Sequence, residues 1–320
     1  MAKSTRLVKS LSRLILPAIL LIIAALIGGS VYLVYSTARP QRSQYLVTPD
    51  KYGQLSARAA QVTEESWTNR DGSSSRGWLL RGVDNAPAVI LYHKYGADRS
   101  YVLNLGVKLN ESTNFTVLMP DQRAHGEKPA VDNSSFGGCE AEDAGGALEF
   151  LRGLRSQSQA PLVGQNIGIY GVELGATVAL ATAAKDKGVK AIAVDSVPAD
   201  SDSILKESVQ TKYPFASFAT TRLASLGTYL YFFDGCYRRD PACDVAKRVE
   251  SRDVLLLAGV DASAYQDSTS KLSKCFPSNN RVDSKLDLSP SGYSIINASM
   301  DQSAAYDQRL IDFFRDSLSR

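Results

Sequence analysis

The chain has 320 residues, 44% of them hydrophobic and 22% charged, with a formal net charge of +3. This composition belongs to a folded protein with a sizeable core and excludes a disordered chain. Acids are scattered among the lysines and arginines, which excludes a basic nucleic-acid-binding surface; no nucleic acid is expected as a partner.

The N-terminus departs from that average. Lys3, Arg6, Lys9 and Arg13 precede an uncharged stretch from Leu14 to Tyr35, with Pro17 near its start. A helix of that length crosses the ~30 Å hydrocarbon core of a bilayer. The positive-inside rule makes residues 1–13 a cytoplasmic basic tail and 14–35 a transmembrane signal anchor. The rest is then extracytoplasmic, either periplasmic or extracellular, although Arg39 and Arg42 reduce the charge asymmetry. The competing reading is a cleaved signal peptide ending near Ser36-Thr37-Ala38. The apolar stretch exceeds the ~7–15 residues of such a peptide. Residues 36–60 read as a linker and 61–320 as one domain.

Within that domain, Gln61 to Thr68 and Gly77 to Arg81 read as strands joined by a turn through Asn69-Arg70-Asp71-Gly72. Ala88 to Tyr92 is a short apolar strand and Tyr101 to Asn110 a helix. Phe115 to Met119 is a strand stopped by Pro120. Glu140 to Leu154 carries apolar residues at helical spacing. Ile167 to Tyr170 is a strand, Ala176 to Lys187 a helix and Lys190 to Val194 a strand. From about 200 to 247 the rhythm breaks into an aromatic- and serine-rich insertion. Tyr229 to Phe233, with Tyr213, Phe215 and Phe218, either lines an apolar pocket under this insertion or packs within it. Asp253 to Ala258 restores the strand signal, Tyr293 to Asn297 offers one more, and Ala304 to Leu318 is a closing amphipathic helix. Alternating strands and helices imply an α/β architecture, a mostly parallel sheet covered on both faces. The insertion caps the carboxyl ends of the strands, where open α/β sheets hold ligands.

Cys139, Cys236, Cys243 and Cys275 allow three pairings. In an oxidising compartment a local Cys236–Cys243 bridge around Tyr237 to Pro241 is expected, leaving Cys139 with Cys275; four free thiols are the alternative. Their spacing fits no zinc pattern, and neither of the two histidines, His93 and His125, is near them. No metal or cofactor is expected.

Gly171-Val172-Glu173-Leu174-Gly175 lies between a strand and a small-residue helix. That is the layout of a nucleophile elbow, whose central residue is ordinarily Ser; here it is Glu173. With this segment the chain resembles the α/β-hydrolase superfamily, in its serine esterase and peptidase-like members, from about Val62 to Leu318. Val89 to Gly96 is similar to the strand and oxyanion loop, with Lys94 where the family has glycine. Met119 to Gly126 is similar to the Asp-x-Arg-Gly-His-Gly turn, with Ala124 for glycine. Phe136-Gly137 and Glu140 to Asp143 resemble the entry to the helix before the elbow.

The resemblance implies an α/β-hydrolase fold with a degenerate triad. Glu173 holds the nucleophile position. The acid position falls to Asp261 or Asp195. The histidine belongs near Ser299-Met300-Asp301, yet the chain has no histidine after His125. Backbone N–H groups of Leu174 and of the Lys94–Tyr95 loop form a remnant oxyanion hole, and His93 braces that loop. Arg99, Asp121 and Arg123 build loop salt bridges. A serine hydrolase needs a nucleophile, a base and a group to orient the base, and two of these are missing. Three readings follow. The first is a membrane-anchored pseudoenzyme that binds a small apolar ligand or serves as a scaffold. The second is a hydrolase using Glu173 with Asp121, Asp195 or Asp261 on an ester, amide or epoxide. The third is a structural protein partner in a membrane complex.

Overall fold

The computed structural model describes residues 2–41, 44–54, 56, 58–215, 218–233 and 235–320. For residues 2–14 only the backbone is described, so the side chains of Lys3, Arg6, Lys9 and Arg13 lie outside the description. The chain opens with helix α1 (Ala2–Thr37), whose part Ile15–Thr37 is long and apolar enough to cross a membrane. The described part of the expected linker includes the short helix α2 (Pro49–Tyr52). It is pinned by Tyr45, whose ring packs tilted against Trp78 with centroids 5.1 Å apart and whose hydroxyl donates to Asp121 at 2.7 Å.

The domain is built on an eight-stranded sheet. Its strands are β1 (Thr63–Thr68), β2 (Ser74–Leu80), β3 (Ala86–Tyr92), β4 (Thr116–Pro120), β5 (Val163–Val172), β6 (Val189–Asp195), β7 (Asp253–Gly259) and β8 (Arg281–Leu288). The spatial order is β1-β2-β4-β3-β5-β6-β7-β8. β2 runs antiparallel to β1 and β4; every other pairing is parallel. The central strands bury both faces and read as near-continuous apolar runs, as parallel strands must. Helices α3 (Leu103–Thr113) and α10 (Met300–Leu318) cover one face. Helices α4 (Gly138–Gly153), α5 (Leu174–Lys185), α8 (Ala242–Ala246) and α9 (Ser263–Leu272) cover the other. Between β6 and β7 lie α6 (Ser201–Lys212), α7 (Phe218–Tyr231) and α8. Leu33, Val34 and Ala38 from the end of α1 are buried with Ile204, Leu205 and Ala224 of α6 and α7 in a third core.

Two expectations need correction. Tyr293 to Asn297 is not a strand; Gly292–Asn297 is 3-10 helix, and the last strand is β8. β8 sits at the sheet edge with Arg281, Asp283 and Asp287 exposed, so its polarity masks its pairing with β7. The disulfides are Cys139–Cys236 and Cys243–Cys275, not Cys236–Cys243 with Cys139–Cys275. The loop after α7 lies against the start of α4, so close that a Cβ on Gly138 would collide with the Cys236 carbonyl. Pro241 then starts α8 and carries Cys243 across to Cys275 beyond α9. Of the aromatic cluster, Tyr213 and Phe232 pack against the third core, while Phe215, Phe218, Tyr229, Leu230, Tyr231 and Phe233 are exposed.

Non-reduced peptide mapping should recover a Cys139–Cys236 cross-link and no Cys236–Cys243 one. Replacing Cys243 and Cys275 together by alanine opens a loop whose closure contributes about 3–4 kcal/mol on chain-entropy grounds, readable as a lower denaturant midpoint.

Candidate functional site

The site is assembled where β5 turns into α5. Glu173 occupies that turn with φ 50° and ψ −104°, a conformation non-glycine residues rarely adopt. The flanking glycines explain how so sharp a turn fits. A Cβ on Gly171 would lie 2.0 Å from the Gly175 carbonyl oxygen, and one on Gly175 would lie 2.6 Å from the Tyr92 carbonyl oxygen. The turn is held from beneath as the Glu173 N–H donates to the Asp195 carbonyl at 2.9 Å.

The Glu173 side chain folds back over the start of α5 and is only 3% exposed. Its Oε2 accepts from the Tyr95 N–H at 2.7 Å and from the Leu174 N–H at 2.9 Å. Its Oε1 accepts from the Tyr265 hydroxyl at 3.3 Å. Burial pushes its pKa up, opposed by the two N–H donors and by the Lys94 charge. Of the three expected oxyanion-loop residues, Tyr95 and Leu174 supply these donors. Lys94 instead sends its ammonium to the Tyr293 carbonyl at 2.7 Å and lies 4.0 Å from the Tyr293 ring centroid. Burial lowers the Lys94 pKa, while Glu173 and Asp261 raise it.

Both histidines brace the loop that carries Tyr95. His93 Nδ1 lies 2.8 Å from the Lys94 carbonyl, and its Nε2 accepts from the Gln122 N–H at 3.2 Å. His125 Nδ1 lies 2.7 Å from the Arg123 carbonyl, and its Nε2 accepts from the Gly96 N–H at 3.1 Å. These partners assign Nδ1 as the protonated nitrogen in each ring. Burial pulls both down to about 4, so both are neutral at pH 7.

The two candidate acids have different surroundings. Asp195 is fully buried and satisfied: it accepts from the Gly292 N–H at 2.8 Å, the Tyr306 hydroxyl at 2.7 Å and the Ser196 hydroxyl at 2.7 Å. Burial raises its pKa. Asp261 follows β7 as expected and accepts from the Ser291 N–H at 3.0 Å and the Ser291 hydroxyl at 2.9 Å. The group facing Asp261 is thus Ser291, not the expected Ser299–Asp301 segment. Ser299 instead caps α10, accepting from the Gln302 N–H at 3.3 Å. Asp121 is engaged with Arg99 at 3.3 Å, and Arg123 with Asp143 at 2.7 Å and Asp71 at 2.5 Å.

Sequence reading missed Tyr265, Tyr293 and Ser291, which come from segments with no motif. It also missed the closure of the site by α1. The Tyr95 hydroxyl bonds the Thr37 carbonyl at the end of α1, and the Tyr95 ring stacks on Phe136 at 5.5 Å. Among the described residues, no group of three or more His, Cys, Asp or Glu side chains could hold a metal ion.

The elbow geometry yields two expected outcomes. Gly175→Ala should destabilise the fold by about 1–3 kcal/mol through overpacking against Tyr92, measured as a fall in denaturant midpoint. Glu173→Gln keeps the size and an acceptor oxygen but removes the charge. Because burial raises the folded-state pKa of Glu173, wild type loses stability as pH rises through that pKa and the variant does not. The Tm of Glu173→Gln minus that of wild type should therefore grow between pH 4 and pH 7; a difference that shrinks would show a carboxylate stabilised as the anion.

No protein-family model matches the chain. Among curated proteins, a thiohydrolase of Aspergillus aculeatus is 28% identical over 131 residues, 41% of this chain and 40% of that protein. A thiohydrolase of Eupenicillium brefeldianum is 29% identical over 119 residues, 37% of each chain. The chain therefore matches only about two fifths of the length of these relatives. Among solved structures, the Pyrococcus furiosus esterase Pf2001 superposes with a TM-score of 0.62 at 16% identity, covering 88% of this chain and 98% of that one. With the strand order and the strand–Glu173–helix turn described above, this chain has the α/β-hydrolase fold.

Proposed function

We propose that the protein is a membrane-anchored, extracytoplasmic binding or scaffold module that carries a hydrolase fold without triad hydrolysis. The observation that carries this reading is the Glu173 carboxylate on the N–H groups of Tyr95 and Leu174. In a working elbow, the N–H after the nucleophile and one from the loop after the third strand stabilise the oxyanion of the reacting carbonyl. Here a side chain of the protein occupies both donors. A substrate carbonyl would have to displace a buried carboxylate that already fits them. The residue beside the acid Asp261 is Ser291, which cannot act as the base that histidine provides. Both histidines are neutral and committed to backbone partners.

The membrane part of the proposal is supported by α1, by the basic residues ahead of its apolar stretch and by the two disulfides. The helix enters with its N-terminus in the cytoplasm and delivers the domain outside. Its end then packs against Tyr95, beside the elbow.

The test is a hydrolysis screen of the full chain in detergent, using nitrophenyl esters, thioesters, amides and epoxides, with Glu173→Gln alongside. Thioesters are included because the matched relatives are thiohydrolases by name. Both proteins should show no turnover above buffer. Turnover by wild type that Glu173→Gln abolishes would replace this reading with a hydrolase using Glu173 in a non-standard mechanism.

A further inference from the structure

Helix α7 lies alongside the outer part of α1 through small residues. The Ser30 hydroxyl donates to the Leu223 carbonyl at 3.4 Å. A Cβ on Gly227 would lie 2.1 Å from Ser30 Oγ and 2.9 Å from Val34 Cγ2, and one on Gly29 would lie 3.8 Å from Leu223. Close approach through Gly and Ser is how helices associate inside bilayers, where no hydrophobic effect drives them together. The pairing also fixes the level of α7. Leu223 sits beside Gly29 and Gly227 beside Ser30 and Val34, so α7 rises in the same direction as α1. The stretch from Gly29 to Thr37 is about 12 Å of helix. Whatever medium surrounds that stretch of α1 surrounds α7 too.

The exposed face of α7 and its flanks suits hydrocarbon. Phe218, Leu226, Tyr229, Leu230 and Phe233 point outward, and Phe215 ahead of the helix is fully exposed. A water-facing monomer rarely leaves so large a contiguous apolar patch open. The patch continues into the exposed apolar side chains of α1 across a shared groove of about 500 Å³, lined by Ile27, Val31, Leu223 and Leu226 among others. The opposite side of α7 is polar and faces α6: the Ser225 hydroxyl donates to Asp202 at 2.9 Å. Within α7 itself the charged side chain is Arg222, while Arg39 lines one end of the groove and the Arg239 guanidinium lies 5.0 Å from the Tyr229 ring centroid. The Arg222 guanidinium lies 4.9 Å from the Phe218 ring centroid, a cation–π contact that offsets part of the cost of the charge there.

We propose that α7 is a second membrane element: an amphipathic cap helix embedded in the outer leaflet beside α1, its apolar face and the shared groove covered by lipid acyl chains. The inference rests on the membrane reading of α1. The cap is thereby held at the bilayer surface with the elbow just above it.

The experiment reconstitutes the full chain in phosphatidylcholine vesicles with brominated acyl chains, which quench tryptophan on contact. The native Trp67 and Trp78 are buried in the sheet and report a constant background. Leu226→Trp is compared with Leu21→Trp on α1, and Leu230→Trp stands in if the first variant misfolds. Loss of most of the added emission at both α1 and α7 positions is expected. Quenching at Leu21→Trp with none at the α7 positions would overturn the proposal while leaving α1 as an anchor, and would mean that water or protein covers the face. No quenching at either helix would overturn the membrane reading itself.

Discussion

The structure turns on one buried carboxylate. Glu173 sits at the strained turn between β5 and α5 and accepts two backbone N–H groups, one from its own helix and one from the loop after β3. These donors come from segments far apart in sequence, and the carboxylate ties them together. Burial disfavours the charge there, and the helix start and the two N–H groups offset part of that cost. N–H groups pointing into a water-poor site need an acceptor in either protonation state. In a serine hydrolase that need is deferred until the reacting oxyanion arrives. Here the chain's own Glu173 side chain meets it.

The closure continues outward from that point. Tyr95, whose N–H holds Glu173, also bonds the last turn of α1 through its hydroxyl and stacks on Phe136. Lys212 reaches the Ser36 carbonyl at 2.6 Å, so the cap grips the same turn. Elbow, cap and N-terminal helix form one packed unit, with Leu174 of the elbow sharing a core with Leu33 and Val34. A disturbance of α1 has a direct route of contacts to the Glu173 site.

Much of the fold was legible because its signals are local. The glycines at 171 and 175, the apolar β3 and β5, and the small-residue helix that follows announce a tight strand–turn–helix unit, and each is required by contacts the structure displays. Glu173 stood out because it occupies the position of a nucleophile. The absence of any histidine after His125 needed no structure. The disulfide pairing was not legible: proximity in sequence favours Cys236 with Cys243, whereas α8 carries Cys243 away. β8 did carry a signal, since Arg281, Asp283, Lys285 and Asp287 alternate with Val282, Ser284, Leu286 and Leu288, but charge at every second position hides an edge strand. Tyr265, Tyr293 and Ser291 reach the site only through tertiary packing, and nothing in their local sequence marks them.

The most direct test of the central claim is the thermal stability of Glu173→Ala with and without added formate, using chloride at equal ionic strength as the control. If the carboxylate is the resident acceptor of the Tyr95 and Leu174 N–H groups, its removal lowers Tm. Formate should then refill the vacated pair and restore part of the loss, while leaving wild type unchanged. A variant as stable as wild type, or one that formate does not stabilise beyond its effect on wild type, would contradict the account.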